Sequence, residues 1–228
     1  METTPTPPST AMQYYDEKID IYFNNVRRDL IAQLPKQPQQ RILEVGSGGG
    51  DTLVAIKKEG LATEVVGVEL FDMPGTNQQN PAIDQFFIRN IETDMPALPL
   101  NYFDVVLCGD VLEHLVDPWK TVRQLTAFLK SGGIIILSCP NIREISTWRK
   151  IFLQGDFGYT TSGILDKTHL RFFCRKNLEA LGTTDELQPI RSMANYTLTP
   201  RRQSLRPFHF GLLDEFLAPQ YMVISRKR

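Results

Sequence analysis

The stretch ILEVGSGGGDTL, Ile42 to Leu53, decides how this chain is read. An apolar run carrying Glu44 ends at Val45, and four of the five residues 46–50 are then glycine. Glycine takes positive φ freely and lets the backbone approach another group closely. Gly46, Gly48 and Gly50 form a G-x-G-x-G turn between an expected strand (41–45) and an expected helix (about 52–59). Helix N-termini offer free N–H groups and a partial positive charge, which suits a carboxylate or a phosphate.

Working outward, short apolar runs alternate with helical segments. EVVGVEL (64–70), QFFIRNI (85–91), FDVVLCG (103–109) and IIILSCP (134–140) read as further strands. WKTVRQLTAFLK (119–130) reads as a helix that ends at a C-cap on Gly132 and Gly133. The link FDMPGTNQQNPAID (71–84) reads as a loop with at most one short helical turn. Runs that are apolar throughout mark strands buried on both faces, as in parallel sheets covered by helices. ELQPIRSMA and YMVISRK supply two closing strands after a helix at 175–181. The expectation is a doubly wound, Rossmann-like α/β fold: a mostly parallel seven-stranded sheet with helices on both faces. A lid, residues 141–173, follows the fifth strand and carries a helical piece, ISTWRKIFLQ.

Before the glycine turn, Tyr15, Ile19, Tyr22, Phe23, Val26, Leu30 and Leu34 recur near a 3.6 period, giving a helix over 14–34 that Pro35 ends. Residues 1–12 read as a proline-rich disordered lead-in, and 13–228 as one domain.

Bulk properties exclude several classes. A net charge of −1 leaves no nucleic-acid footprint. No apolar run reaches the length of a membrane span, and the N-terminus lacks the pattern of a signal peptide, so a cytoplasmic protein is expected. Cys108, Cys139 and Cys174 are too far apart for a clustered metal site and too few for a disulfide framework.

Two cofactor classes compete for the turn. The dinucleotide fingerprint G-x-G-x-x-G, counted from Gly46, places Asp51 where its third glycine belongs, and an aspartate repels a pyrophosphate. S-adenosylmethionine carries an ammonium and a sulfonium, which Glu44 suits. The motifs EVGSGGG, Glu69 at the end of VVGVEL, and FDVVLCGDVLEHLVDP (103–118) resemble those of class I S-adenosylmethionine-dependent methyltransferases over about residues 40–182. The resemblance implies cofactor contacts from Glu44, Gly46, Ser47, Gly48 and Gly50. It implies ribose binding by Glu69 with Leu70, adenine contacts from Asn90 and Ile91, and methionine contacts from Gly109 and Asp110. Asn90 departs from the family's aspartate, though its amide oxygen still accepts. The stretch 155–173 further resembles a subgroup found alone or fused to glycosyltransferases, which implies a small-molecule or glycan acceptor.

Each residue has a plainer reading beside this one. The glycines could form a tight turn with no ligand, Glu69 a solvated strand end, and Asp110 a helix cap. Asp104 is read as structural. His114 is read ahead of catalysis as a packed or orienting histidine at the acceptor side. With Glu113 alone beside it, it makes too few ligands to imply a metal. His169 is the candidate base for an O-methylation by in-line displacement, against a loop-ordering role through Asp166. Tyr159, Asp166 and Arg171 are the candidate acceptor contacts. Phe157, Phe172 and Phe173 read as lid core, His209 as packing, and the arginines of 199–206 as a solvated face. The competing functions are a nicotinamide-dependent oxidoreductase and a non-catalytic S-adenosylmethionine-binding module.

Overall fold

The computed structural model describes residues 26–197, 199–204, 210 and 212–228. The lead-in at 1–12, most of the expected first helix, Arg206 and His209 lie outside the described residues. Seven strands form one sheet in the order β3-β2-β1-β4-β5-β7-β6. They are β1 (Arg41–Val45), β2 (Glu64–Glu69), β3 (Gln85–Ile88), β4 (Phe103–Gly109), β5 (Leu129–Pro140), β6 (Leu187–Asn195) and β7 (Gln220–Lys227). β1 to β5 run parallel, and β7 is antiparallel to both of its neighbours.

The continuous apolar runs divide by alternation between the two faces. Ile42, Val65, Val105 and Leu107 pack with Leu53 and Ile56 of α2 (Asp51–Lys58) and with Leu30 of α1 (Arg28–Ile31). Leu43, Val45, Val66 and Val106 face the other way. There they meet Val122 and Leu125 of α3 (Pro118–Phe128) and Leu178 and Leu181 of α5 (Arg175–Leu181). A strand between two helical layers has no polar face, which is why these runs read as uninterrupted.

Three boundaries differ from expectation. The helix expected over 14–34 is, among the described residues, only α1. Arg27 is outside helical geometry at ψ 72°, and its N–H donates to the Thr52 hydroxyl at 3.1 Å. α3 does not reach a glycine C-cap: Leu129 turns extended at ψ 141° and pairs with Phe103, so Gly132 and Gly133 belong to β5. β3 stops at Ile88, three residues early, and 71–84 is a loop with one 3-10 turn at Asn77–Gln79.

The 141–173 segment holds α4 (Ile145–Phe152) and is tied to the body. The Leu170 and Arg171 amides both donate to the Glu113 carbonyl, and Ile142 donates to that of Phe173. Two four-residue helices, α6 (Pro200–Gln203) and α7 (Asp214–Leu217), precede β7.

Candidate functional site

Beyond the carboxyl ends of β1, β2 and β4 lies a cleft of about 870 Å³. Its wall includes Glu44, Gly46, Ser47, Gly48, Glu69, Leu70, Asn90, Ile91, Gly109, Asp110, His114 and His169. The structure therefore gathers most of the residues singled out in the sequence. It leaves out Gly50, Tyr159, Asp166 and Arg171.

The glycine turn has a different local reason from the one expected. All three glycines have positive φ: 70° at Gly46, 52° at Gly48 and 86° at Gly50. A Cβ on Gly46 would stand 2.1 Å from Cγ2 of Val111, and one on Gly50 would stand 3.2 Å from the Asn77 backbone and 2.9 Å from Ile83. At these two positions it is the chain itself, packed against the turn, that excludes a side chain. Gln78 completes this packing. Its buried amide donates to the Gly48 and Phe71 carbonyls at 2.9 and 3.0 Å, and its oxygen accepts from the Met73 N–H.

Glu69 is 7% exposed. One oxygen accepts from the Gly48 N–H at 2.8 Å and the other from Leu70 at 2.7 Å. Burial raises its pKa, against the pull of the Gly48, Leu70 and Phe71 amides. Asn90 turns its side-chain oxygen to the Glu92 N–H at 2.9 Å, so one of that oxygen's two lone pairs is already used.

Glu44 is 4% exposed, and its Oε2 has no hydrogen-bond partner. Its pKa is pushed up to about 8, first by burial and then by the charges of Glu69 and Asp51, against Arg27 and the Thr52 hydroxyl. A group that holds its proton more tightly when folded stabilises the fold fully below its unfolded pKa. That contribution is lost as pH rises through 8. A cation placed against Oε2 reverses the balance and drives the proton off. Binding of a cationic ligand at pH 7 is therefore expected to release most of one proton. Calorimetry in buffers of different ionisation enthalpy should detect the release, and Glu44→Gln should abolish it.

Sequence reading missed Arg27, which closes the floor of the cleft. It donates to both oxygens of Asp29 at 2.9 and 2.8 Å and to Asp110 at 2.9 Å. Burial works against its charge, but Asp110 and Asp29 outweigh burial and hold it protonated. Burial also works to raise Asp29, yet Arg27 and the Asn195 amide hold its pKa below the ordinary range. Asp110, at φ 58°, also accepts from the Gln220 amide and the Ser138 hydroxyl. A Cβ on Gly109 would sit 2.7 Å from Cδ1 of Leu30 and 3.0 Å from Nη1 of Arg27, so that glycine makes room for both. No local pattern could have shown this, because Arg27 lies 83 residues from Asp110.

Also in the cleft wall, His114 and His169 stack edge to face with ring centres 4.8 Å apart. Nδ1 of His114 is 3.2 Å from the Thr168 carbonyl, and Nδ1 of His169 is 3.0 Å from that of Ile164. A carbonyl only accepts, so each Nδ1 carries the proton, and the neutral ring keeps its lone pair on Nε2. Glu113 lies beneath them, 1% exposed, with neither carboxyl oxygen hydrogen-bonded to nitrogen or oxygen. Burial, then the charge of Asp110, raises its pKa. Ligand atoms of Glu113, His114 and His169 all lie within 4.8 Å of one another, so among the described residues this trio could hold a metal ion. His169 is thus the third ligand-type side chain that the pair Glu113–His114 lacked in the sequence.

The other lid residues hold the loop together. Asp166 accepts from the Thr168 N–H and hydroxyl and orders the loop. Arg171 donates to the Val116 and Leu170 carbonyls, holding the lid to the turn below. Tyr159 is 60% exposed and stacks on Phe157 away from the cleft. Of the expected lid core Phe173 is buried, whereas Phe157 is 43% exposed. Asp104 is structural, as read, accepting from the Arg41 N–H and from Lys130.

Residues 16–188 match the family described as Methyltransferase domain. Among curated proteins, the ubiquinone biosynthesis O-methyltransferase of Xanthomonas campestris pv. campestris (strain B100) is 26% identical over 159 residues, 60% of this chain and 66% of the relative. The protein of that name from Actinobacillus pleuropneumoniae serotype 7 (strain AP76) is 27% identical, over 77% of this chain and 72% of the relative. Several such relatives are spanned over only about half of their length. Among solved structures, an S-adenosylmethionine dependent methyltransferase from Mesorhizobium loti has a TM-score of 0.60 at 17% identity, covering 88% of this chain and 96% of that one. Another from Archaeoglobus fulgidus has a TM-score of 0.56 at 19% identity, covering 95% and 99%.

Proposed function

This chain belongs to the methyltransferase domain family, and from that we infer that it transfers a methyl group from S-adenosylmethionine to a hydroxyl oxygen of a small organic acceptor. One observation carries the cofactor assignment. The buried, unpartnered Oε2 of Glu44 lines the cleft at the end of β1, where an ammonium or sulfonium supplies the missing partner. Glu44 near the end of β1 and Asp51 opening α2 argue against a pyrophosphate and so against the oxidoreductase reading. Glu44, Glu69, Asn90, Ile91 and Asp110 are the proposed cofactor contacts, with Arg27 added at the floor. Methyl transfer to oxygen agrees with the names of the curated relatives. A cytoplasmic setting remains part of the proposal, and a glycan acceptor does so on the sequence resemblance alone.

The cofactor supplies a methyl group made electrophilic by a sulfonium. The protein must position the acceptor in line, exclude water and take up the hydroxyl proton. His169 is placed to take up that proton, since it is buried in the cleft wall with its lone pair on Nε2. A second reading follows from the same grouping. If Glu113, His114 and His169 hold a divalent cation, activity falls on chelation and returns with added Mg²⁺; if His169 is the base, chelation leaves the rate unchanged.

The assignment is tested by titrating S-adenosylhomocysteine and NAD, where tight binding of NAD alone would overturn it. Glu69→Ala is expected to weaken S-adenosylhomocysteine binding by about 1–3 kcal/mol, since two hydrogen bonds to a carboxylate are lost. Isothermal titration measures this, and an unchanged affinity would place the ribose elsewhere.

A further inference from the structure

We propose that Asn195, a buried side chain outside the cleft wall, is a positioning residue for the amino-acid end of the cofactor. It closes a ring of five side chains at the cleft floor. Arg27 donates to Asp29 at 2.9 and 2.8 Å. The Asn195 side-chain nitrogen donates to the same Asp29 at 2.8 Å and to the Gln220 oxygen at 3.1 Å. Gln220 donates to the two oxygens of Asp110 at 3.0 and 2.9 Å. Arg27, donating to Asp110 at 2.9 Å, completes the circuit. Arg27, Asp29, Asp110 and Gln220 line the cleft, whereas Asn195 does not and is 7% exposed. Asn195 ends β6 directly opposite Gln220, which begins β7, so the pairing of the last two strands brings the two amides together.

Donors and acceptors fix the direction of every link. The Asn195 oxygen accepts from the Thr197 N–H at 3.0 Å and from its hydroxyl at 2.7 Å, so the nitrogen is the atom that faces Asp29 and Gln220. Gln220 then has to offer Asn195 its oxygen, which leaves its nitrogen for Asp110. The series from Asn195 through Gln220 ends on a carboxyl group, and hydrogen bonds in series strengthen one another. Against burial, Arg27 and Asn195 together hold Asp29 below the ordinary carboxylate range. Asp110 itself stands at φ 58°. A residue other than glycine keeps such a backbone only where its surroundings over-determine it. Donors from Arg27, Gln220 and Ser138 do so here.

The ring thus holds a guanidinium and a carboxyl group side by side in the cleft wall, a pair complementary to an amino-acid zwitterion. That use of it rests on the proposed function. Asn195 also has a plainer duty, and the two ends of its amide divide the work. The oxygen makes a turn with Thr197 where β6 ends. The nitrogen takes no part in that turn and serves only the ring.

Asn195→Asp separates the two duties. Aspartate forms the same turn, but it sets a carboxylate oxygen against Asp29 where a donor stood. Parent and variant are titrated with S-adenosylhomocysteine and with 5′-methylthioadenosine, which has the same nucleoside and thioether but no amino-acid end. The parent should bind S-adenosylhomocysteine more tightly than 5′-methylthioadenosine. In the variant that preference should shrink by about tenfold, the worth of one hydrogen bond to a charged group, with 5′-methylthioadenosine bound as before. Asn195→Ser, which can keep the turn but is too short to reach Asp29 and Gln220, should behave alike and carries the test if the aspartate variant does not fold. An equal loss for both ligands makes Asn195 structural only and overturns the proposal, as does an unchanged preference in either variant. A parent that binds the two ligands equally overturns it too, and leaves the cofactor assignment standing. A parent that binds neither removes the proposed function and this inference with it.

Discussion

His169→Ala is expected to slow methyl transfer by about 10²–10⁴-fold, the usual worth of a positioned general base. Cofactor affinity should change little. The expectation rests on a ring held in one tautomer by the Ile164 carbonyl and buried in the cleft wall. A hydroxyl nucleophile must shed its proton as the new bond forms, and a neutral imidazole is suited to take it near neutral pH. Rapid-quench turnover with saturating cofactor measures the chemical step. The acid limb of the pH–rate profile should disappear in the variant. A loss below tenfold with that limb intact would leave His169 the role of holding the loop, and a large loss of cofactor affinity would show that the lid closes on the cofactor itself.

The second large effect is expected at Gly46→Val. A valine at φ 70° costs about 1–3 kcal/mol in backbone strain. Its Cβ would also meet Val111 at 2.1 Å, and overpacking of this kind costs about 1–3 kcal/mol more. Together these reach a large share of the roughly 5–15 kcal/mol that keeps a domain folded. Urea denaturation should show the loss. Gly60→Val separates the two terms: at φ 67° and with no atom within 4 Å of its Cβ, it carries the strain without the clash. Equal costs at the two sites would mean that Val111 moves aside freely.

How legible these features were depended on how far apart in sequence the interacting residues lie. β1 and β4 were readable to the residue because both faces of each are buried and their ends coincide with changes in composition. The end of α3 was misread because Gly132 and Gly133 look like a cap. Leu129 instead gains more by pairing with Phe103 in the sheet than by adding to the helix. The site divides in the same way. Glu44, Gly48 and Glu69 stand at strand ends, where the fold brings them together. Arg27, Gln78 and Gln220 reach the site from remote segments, and only the folded chain brings them to Asp110 or Gly48. Tyr159 and Arg171 looked like acceptor contacts because they are polar and near His169, but a loop turns adjacent residues in different directions. The glycine turn was found, yet the cause differed: the residues that crowd Gly46 and Gly50 come from Val111 and Asn77, far along the chain.

The antiparallel β7 has a consequence for the order of synthesis. It lies between β5 and β6, and both leave the ribosome before it. Until β7 arrives, β5 presents an unpaired edge rich in isoleucine, and β6 has no neighbour on its inner side. At about 5–20 residues per second, the 79 residues between Pro140 and Gln220 keep that edge open for several seconds. A nascent chain paused there offers a template for pairing with another copy, which makes this interval the one in which a chaperone is most needed. Gln220, which fastens Asp110 at the cleft floor, arrives at the same moment, so the pocket takes its final shape only as the sheet closes.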